Sequence, residues 1–591
     1  MFLHSCKEFI FCYICNMAPL DYIVIILYFA GLVVVSLVMS RRIKSSEDMF
    51  IAGRNSSWWL SGVSSYMTIF SASTFVVWGG VAYKSGMVAV VIAMTFGVVS
   101  LIVGKWISGR WRALRIKSPG EYLNIRFGHT TVEFYTVSGL IARAVHTAVA
   151  LYAVAVIMCG VIDISIWWAL LILGGIAILY TVAGGFLAVL MTDVIQFGVL
   201  LAVVVFMIPL SFHEVGGVGV FLERAQQIPG FLSGTSETYT WLWMVLWLIL
   251  NIGFVGGDWP FVQRYISVPT VKDARRSTYL IGILYFLTPL IWYLPTMIFR
   301  VMEPGLALDV DPATMTLNGE QAYVNISKTV LMQGMVGMML AAMLSATLSN
   351  VSGILNVFAN VYTYEIWGRR DNNRGATEKE RIRAGRVFTL VFGLVILGLS
   401  MLIPLAGGAE KVVVTLLTLV MCPLYIPSIW GLFSKRLSGR QLIWTMLATW
   451  AAGITARLTV PASVLSGSLI DSIAGGVLPI LILTVLEMVS KAKGVTRPEA
   501  ETLRSWIDPD AEKQPDARMK KATKAYSHMA VSCFCITIGV IALLLTGLLL
   551  AGDPKTLAVK GIVSGFVALL ISIIVIYLVY RIIDNKRNER R

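Results

Sequence analysis

Charge is scarce in this sequence. Asp, Glu, Lys and Arg supply 14% of its 591 residues while hydrophobic types supply 57%, whereas a soluble domain carries roughly 25% charged residues. Such a shortage excludes a water-soluble globular protein and marks an integral membrane protein. Histidine is scarcer still, at five residues. No nucleophile–base pairing or metal-ligand cluster can be assembled from the pattern, which speaks against an enzyme. The seven cysteines are Cys6, Cys12, Cys15, Cys159, Cys422, Cys533 and Cys535. They show neither zinc spacing nor a disulfide framework, and most lie near apolar runs as small hydrophobes. Met1–Cys15 lacks the basic stretch and small-residue cleavage site of a signal peptide, and Met17 reads as an alternative start.

Strand-like alternation is also missing. The apolar segments run for ~20 residues or more, the length of a helix that crosses ~30 Å of hydrocarbon rather than that of a barrel strand. They fall at about 20–40, 58–80, 85–108, 132–159, 163–182, 188–211, 240–260, 277–301, 330–364, 386–406, 411–433, 441–463, 466–488, 527–550 and 559–582. The reading is all-α, with about fifteen transmembrane helices. The net charge of +15 does not indicate nucleic acid, because Lys and Arg collect in short loops on alternate sides of the segments. Arg41, Arg42, Lys44 and Arg54 share a side with Arg110 to Arg126, Arg264 to Arg276, Arg369 to Arg386 and Lys435 to Arg440. Loop 212–238 has only Arg224 as a basic residue, and loop 303–328 is acidic. The basic side is cytoplasmic, so the N-terminus is expected outside and the C-terminus inside a cell membrane. The polar stretch 489–526 reads as a cytoplasmic linker with little fixed structure.

Two spans look broken. Segment 58–80 carries Ser64, Ser65, Thr68, Ser71, Ser73 and Thr74 at its centre, and segment 240–260 carries Gly253, Gly256, Gly257 and Pro260. They stand five spans apart, as expected of two inverted halves that each begin with a discontinuous helix lining a midplane site. Segment 334–364 is apolar yet rich in small and hydroxyl residues. Ala346, Ser349 and Asn350 stand at i, i+3 and i+4, and Ser352, Gly353 and Asn356 extend the same broad face. In a bilayer that face needs a partner. Helix packing, a cavity or a bound ion would each supply one.

Several motifs now resemble the sodium/solute symporter family of sodium–glucose, proline and sialic acid cotransporters. They are Phe50–Arg54, the block Gly184–Gln196 with Thr192 and Asp193, Val262–Arg264, Ile354–Asn356 and Trp430–Lys435. The resemblance covers roughly 20–460. It implies a ten-helix 5+5 inverted-repeat core of the leucine-transporter type at 58–433, after an N-terminal segment 1–57 with one extra helix. About four further helices occupy 434–591. It also implies a sodium ion held by the backbone carbonyls of Met67, Phe70 and Ala346 and the side chains of Ser349 and Asn350. Asn350 departs from the Ser or Thr usual there, though its amide oxygen is still a hard ligand. Asp193 reads either as a helix N-cap or, with Ser352, as part of a second sodium or coupling site in which Gly353 lacks the matching hydroxyl.

Laid on the same family, the solute pocket would be lined by Ser71, Thr74, Trp78, Asn251, Phe254, Tyr285 and Thr415. The charged sugar-binding positions of relatives align with Ala93 and Tyr285, which argues against a hexose. The function implied is sodium-driven symport of a small organic solute by alternating access. A sodium-independent facilitator or channel, or a transporter-like sensor that needs a separate signalling partner, are the rivals.

Overall fold

The computed structural model describes residues 19–551 except 42, 44, 71, 76, 162–163, 238, 306–321, 333, 370–374, 404–415, 462–466, 506 and 508–516. Among the described residues the named elements are all helical. Hydrocarbon offers backbone groups no water, and the helix satisfies them within one segment. The helices used below are α1 (Pro19–Ser40), α2 (Trp58–Ile69), α3 (Ala72–Phe75), α4 (Val77–Ser85), α5 (Met87–Trp106), α6 (His129–Val161) and α7 (Ile166–Val215). They continue with α8 (Trp241–Gly257), α9 (Trp259–Ile266), α10 (Val271–Leu287), α11 (Pro289–Met302), α12 (Met335–Val361) and α13 (Glu378–Leu402). Polar side chains cap the ends that reach water. Thr240 accepts from the N–H of Trp243 at the head of α8, and Thr377 and Glu380 form a reciprocal capping box before α13.

Eight spans are long and apolar enough to cross a bilayer among the described residues, nine when one bent pair counts as a crossing. The expected multi-span, all-helical architecture is present, while the count among the described residues is below the expected fifteen or so. Several expected crossings are broken into short pieces, and the last, 559–582, lies outside the described residues.

Both expected breaks are present. The first broken span runs α2, α3, α4, and Phe70 at the end of α2 is extended at φ −69°, ψ 131°. The second bends by 49° between α8 and α9. Asp258 there is extended, and Pro260 in the first turn of α9 has no N–H to continue α8. At the centre lies α12, every residue of which except Val336 is buried. It packs against α1, α2, α6, α7 and α13.

Two sequence expectations change. Asp193 does not cap a helix: it lies well inside α7, eight residues beyond the kink at Gly185. Within 489–526 the described residues are largely helical. Pro498–Ser505 is helical, it packs on Pro119–Phe127 with Ala500 and Leu503 buried, and the next helix already begins at Ala517. An i, i+3 apolar pair is enough to dock one short helix, although the composition around it is polar.

Gly185 joins the expected segments 163–182 and 188–211 with φ 57° and ψ −161°, a region reserved for glycine. A Cβ there would stand 2.9 Å from the Met49 carbonyl oxygen. Gly185→Ala should therefore cost about 1–3 kcal/mol. Thermal unfolding of the detergent-solubilised protein should show a lower melting temperature, and an unchanged one would mean the kink relaxes freely.

Candidate functional site

The site is built where the two broken spans meet α7 and α12. Asp193 of α7 and Arg264 of α9 are both fully buried and form an ion pair at 3.3 Å. Ser64 of α2 donates its hydroxyl to one carboxylate oxygen of Asp193, and Ser349 of α12 donates to the other. Arg264 Nε donates to Ser64 Oγ at 2.8 Å, and Nη1 donates to the Pro260 carbonyl at 3.0 Å. One carboxylate and one guanidinium thus tie four helices. In low dielectric an unpaired charge would be far costlier than this pair, so the network holds those helices in one register.

The motif residues converge beside it. Gln263 donates to the Phe50 carbonyl and to Asn356 Oδ1, both at 2.7 Å. Gly353 faces Arg264: a Cβ there would lie 3.4 Å from the guanidinium Nη2. Ser352 turns its hydroxyl back to the Ser349 carbonyl at 2.9 Å.

The cation-site candidates lie on packed elements. Met67 and Phe70 end α2, while Ala346, Ser349 and Asn350 lie on α12, which packs against both α2 and α3. All five are buried. Carbonyls in the last turn of α2, Met67 among them, lose their i+4 donors where the helix stops. Asn350 Oδ1 is buried with no hydrogen-bond partner among the described residues. Ser349 spends its hydrogen on Asp193, which leaves its lone pairs for an acceptor role. Hard, unspent oxygens of this kind suit a small cation. Gln196, three residues beyond Asp193, is likewise buried with neither amide atom partnered among the described residues.

The solute candidates divide. Ser71 and Thr415 lie outside the described residues. Trp78 stands 6.0 Å from Trp247, ring centre to ring centre, and Asn251 donates to the Trp247 carbonyl at 2.7 Å. Trp247 meets Phe96 at 6.3 Å, and Phe96 stacks on Tyr285 at 5.2 Å. Trp78, Asn251 and Tyr285 are therefore joined by an aromatic ladder through Phe96 and Trp247. Thr74 is buried on α3. Phe254 belongs to a second cluster. It packs 5.5 Å from Phe261 and 6.0 Å from Tyr425, beside a buried ion pair of Arg143 on α6 and Asp258 at the α8–α9 bend. Arg143 also donates to the Tyr425 hydroxyl at 2.9 Å.

Sequence reasoning missed the Arg143–Asp258 pair and the partnership of Arg264 with Asp193. The available signal was charge in apolar segments, which must pair.

Removing one member of a buried pair costs about 3–5 kcal/mol because the other charge is left uncompensated. Arg264→Met should depress thermal stability strongly, and adding Asp193→Asn should recover part of the loss. A double variant no more stable than Arg264→Met would show that the pair is not the source.

The sodium:solute symporter family model matches residues 49–449. The sodium/sialic acid symporter NanT of Aliivibrio fischeri is 25% identical over 457 residues, which span 75% of this chain and 88% of that protein. Sodium/glucose cotransporter 1 of Mus musculus is 24% identical over 481 residues, spanning 74% and 71% respectively. A solved Na+-coupled sialic acid symporter, substrate-bound and outward-open, shares the fold with a TM-score of 0.68 at 20% identity, covering 80% of this chain and 98% of that one. These relatives are transporters rather than enzymes. The chain belongs to the sodium:solute symporter family, multi-pass membrane proteins in which sodium is the ion coupled to solute transport.

Proposed function

We propose that this protein imports a small organic solute other than a hexose by alternating access, driven by sodium held between α2 and α12. The core is 58–433, two inverted five-helix halves, with one helix before it and about four after. It sits in the cell membrane with its N-terminus outside and its C-terminus in the cytoplasm. The sodium ligands are the carbonyls of Met67, Phe70 and Ala346, the Ser349 hydroxyl and the Asn350 amide oxygen. The observation that carries this reading is the pairing of an unpartnered buried Asn350 Oδ1 with a Ser349 hydroxyl whose hydrogen is already committed to Asp193.

In this reading Asp193 orients Ser349 rather than ligating the ion. Arg264 already balances its charge and stands where Gly353 leaves space, so a single sodium per cycle is favoured over a second one at Asp193 and Ser352. Sodium bridges the two helices in one state, and coupling requires that its affinity differ between states. The solute lies among Ser71, Thr74, Trp78, Asn251, Tyr285 and Thr415. Phe254 closes the inner side against Tyr425, and its movement releases solute and ion inward.

The ladder of Trp78, Trp247, Phe96 and Tyr285 is mostly apolar, with Asn251 as its placed polar group. A small carboxylate, amino acid or amide-like solute can lay its apolar part there and turn its polar group to unwound backbone near α3. A hexose would bring about five hydroxyls to a pocket with few partners, each unpaired buried group costing about 1–3 kcal/mol.

The test is uptake by proteoliposomes of a panel of labelled solutes, with and without a sodium gradient. Uptake that ignores the gradient would favour a facilitator. Saturable, concentrative, sodium-dependent uptake of glucose or galactose would refute the exclusion of hexoses. For the ion site, Ser349→Ala should raise the half-saturating sodium concentration while surface expression persists. A sodium dependence identical to wild type would return Ser349 to helix packing.

A further inference from the structure

An aspartate in the first turn of the first membrane helix has no part in the reading above, yet Asp21 is only 2% exposed. A carboxylate in a membrane span is costly unless it is paired or hydrogen-bonded. Asp21 finds its partners across 313 residues of chain. Its Oδ1 accepts from the N–H of Gly334 and from the N–H of Gly337, both at 2.6 Å. Those groups belong to the N-terminus of α12, whose own N-cap residue is glycine and offers no side chain. A helix leaves its first N–H groups without internal partners, and its N-terminus favours negative charge. Asp21 is therefore a cap supplied by another helix.

The approach is close. A Cβ on Gly337 would fall 2.6 Å from Asp21 Cα, so only glycine lets the two backbones meet there. A second contact sits farther along: the Tyr28 hydroxyl is hydrogen-bonded to Ser345 Oγ, next to Ala346. From Asp21 to Tyr28 is about 10 Å of helix rise and from Gly337 to Ser345 about 12 Å. The matching intervals mean that α1 runs beside the first half of α12 in the same direction, joined at both ends of that stretch. One turn beyond Ser345, on the same side of α12, Ser349 bonds to Asp193 on α7, and α1 also packs on α7.

We propose that Asp21 is a positioning residue for sodium binding. With Tyr28 it fixes the axial height of α12, and so holds Ala346, Ser349 and Asn350 level with the open end of α2. The helix that precedes the transport core in sequence is thus a working part of the ion site. This inference rests on the sodium site proposed above.

The test is equilibrium binding of ²²Na⁺ to the purified full-length protein, with melting temperatures measured in parallel. Asp21→Ala should weaken sodium affinity about fivefold, the ~1 kcal/mol that loss of a capping side chain costs. Asp21→Asn keeps Oδ1 and caps about as well, so it should stay within about twofold of wild type. Tyr28→Phe should weaken binding by about threefold, the size of one neutral hydrogen bond. Folded Asp21→Ala protein with a lower melting temperature and wild-type sodium affinity would overturn the proposal and leave a purely structural cap. Should Asp21→Ala fail to fold, wild-type affinity in Tyr28→Phe would overturn it equally. Ser349→Ala separates the two levels. If Ser349→Ala weakens binding and the α1 variants do not, only the role of Asp21 falls; if Ser349→Ala has no effect, the sodium site itself falls.

Discussion

A charge inside a hydrocarbon slab must be answered at close range, and this fold is arranged around that demand. Asp193 and Arg264 answer each other with no exposed surface, and the hydroxyls of Ser64 and Ser349 take up the remaining valences of the carboxylate. The partners come from α2, α7, α9 and α12. Neither broken span can move relative to α7 and α12 without disturbing this network. The same bonds set the direction of the Ser349 hydroxyl, so a structural necessity also decides which of its lone pairs stay unspent.

The breaks supply what regular helices cannot. An intact helix spends every internal carbonyl on its own ladder, whereas the stop at Phe70 and the bend at Asp258 release backbone groups from it, and at the bend the Val255 and Gly256 carbonyls accept instead from the Tyr265 hydroxyl and the Trp111 indole N–H. Such groups are tolerated only where protein or a polar cavity surrounds them. Burial of α12 at every residue but Val336 and the packing of α1, α6 and α7 around it provide that enclosure. Beyond the first break, Trp78 joins the aromatic ladder of Trp247, Phe96 and Tyr285, a set of flat, stiff surfaces.

A second pair, Arg143 with Asp258, repeats the principle at the bend of the other broken span. Phe254 and Tyr425 close over it. The second discontinuity is thus anchored by a buried carboxylate–guanidinium pair of its own, and the first broken span is tied through Ser64 to the Asp193–Arg264 pair.

Helical, membrane-spanning character, the positions of the two discontinuous spans and the internal small-residue face of α12 were all legible in the residues alone. Those are local matters of hydropathy, period and breaker residues, readable without knowing any neighbour. Loop 489–526 escaped that logic because a short amphipathic helix at Pro498–Ser505 is decided by its docking partner rather than by its composition. Asp193 escaped it because the kink at Gly185 moved the helix start upstream of where hydropathy placed it. The charges Arg143, Asp193, Asp258 and Arg264 visibly needed partners, but neutrality is satisfied by more than one matching, and residues 71 and 115 positions apart carry no sequence signal of which is which. Only tertiary structure matched Arg264 to Asp193 and Arg143 to Asp258, packed Phe254 on Phe261 and Tyr425, and brought Asp21 to the head of α12. Pairing across a bundle depends on which helices pack together, and that is a property of the whole chain.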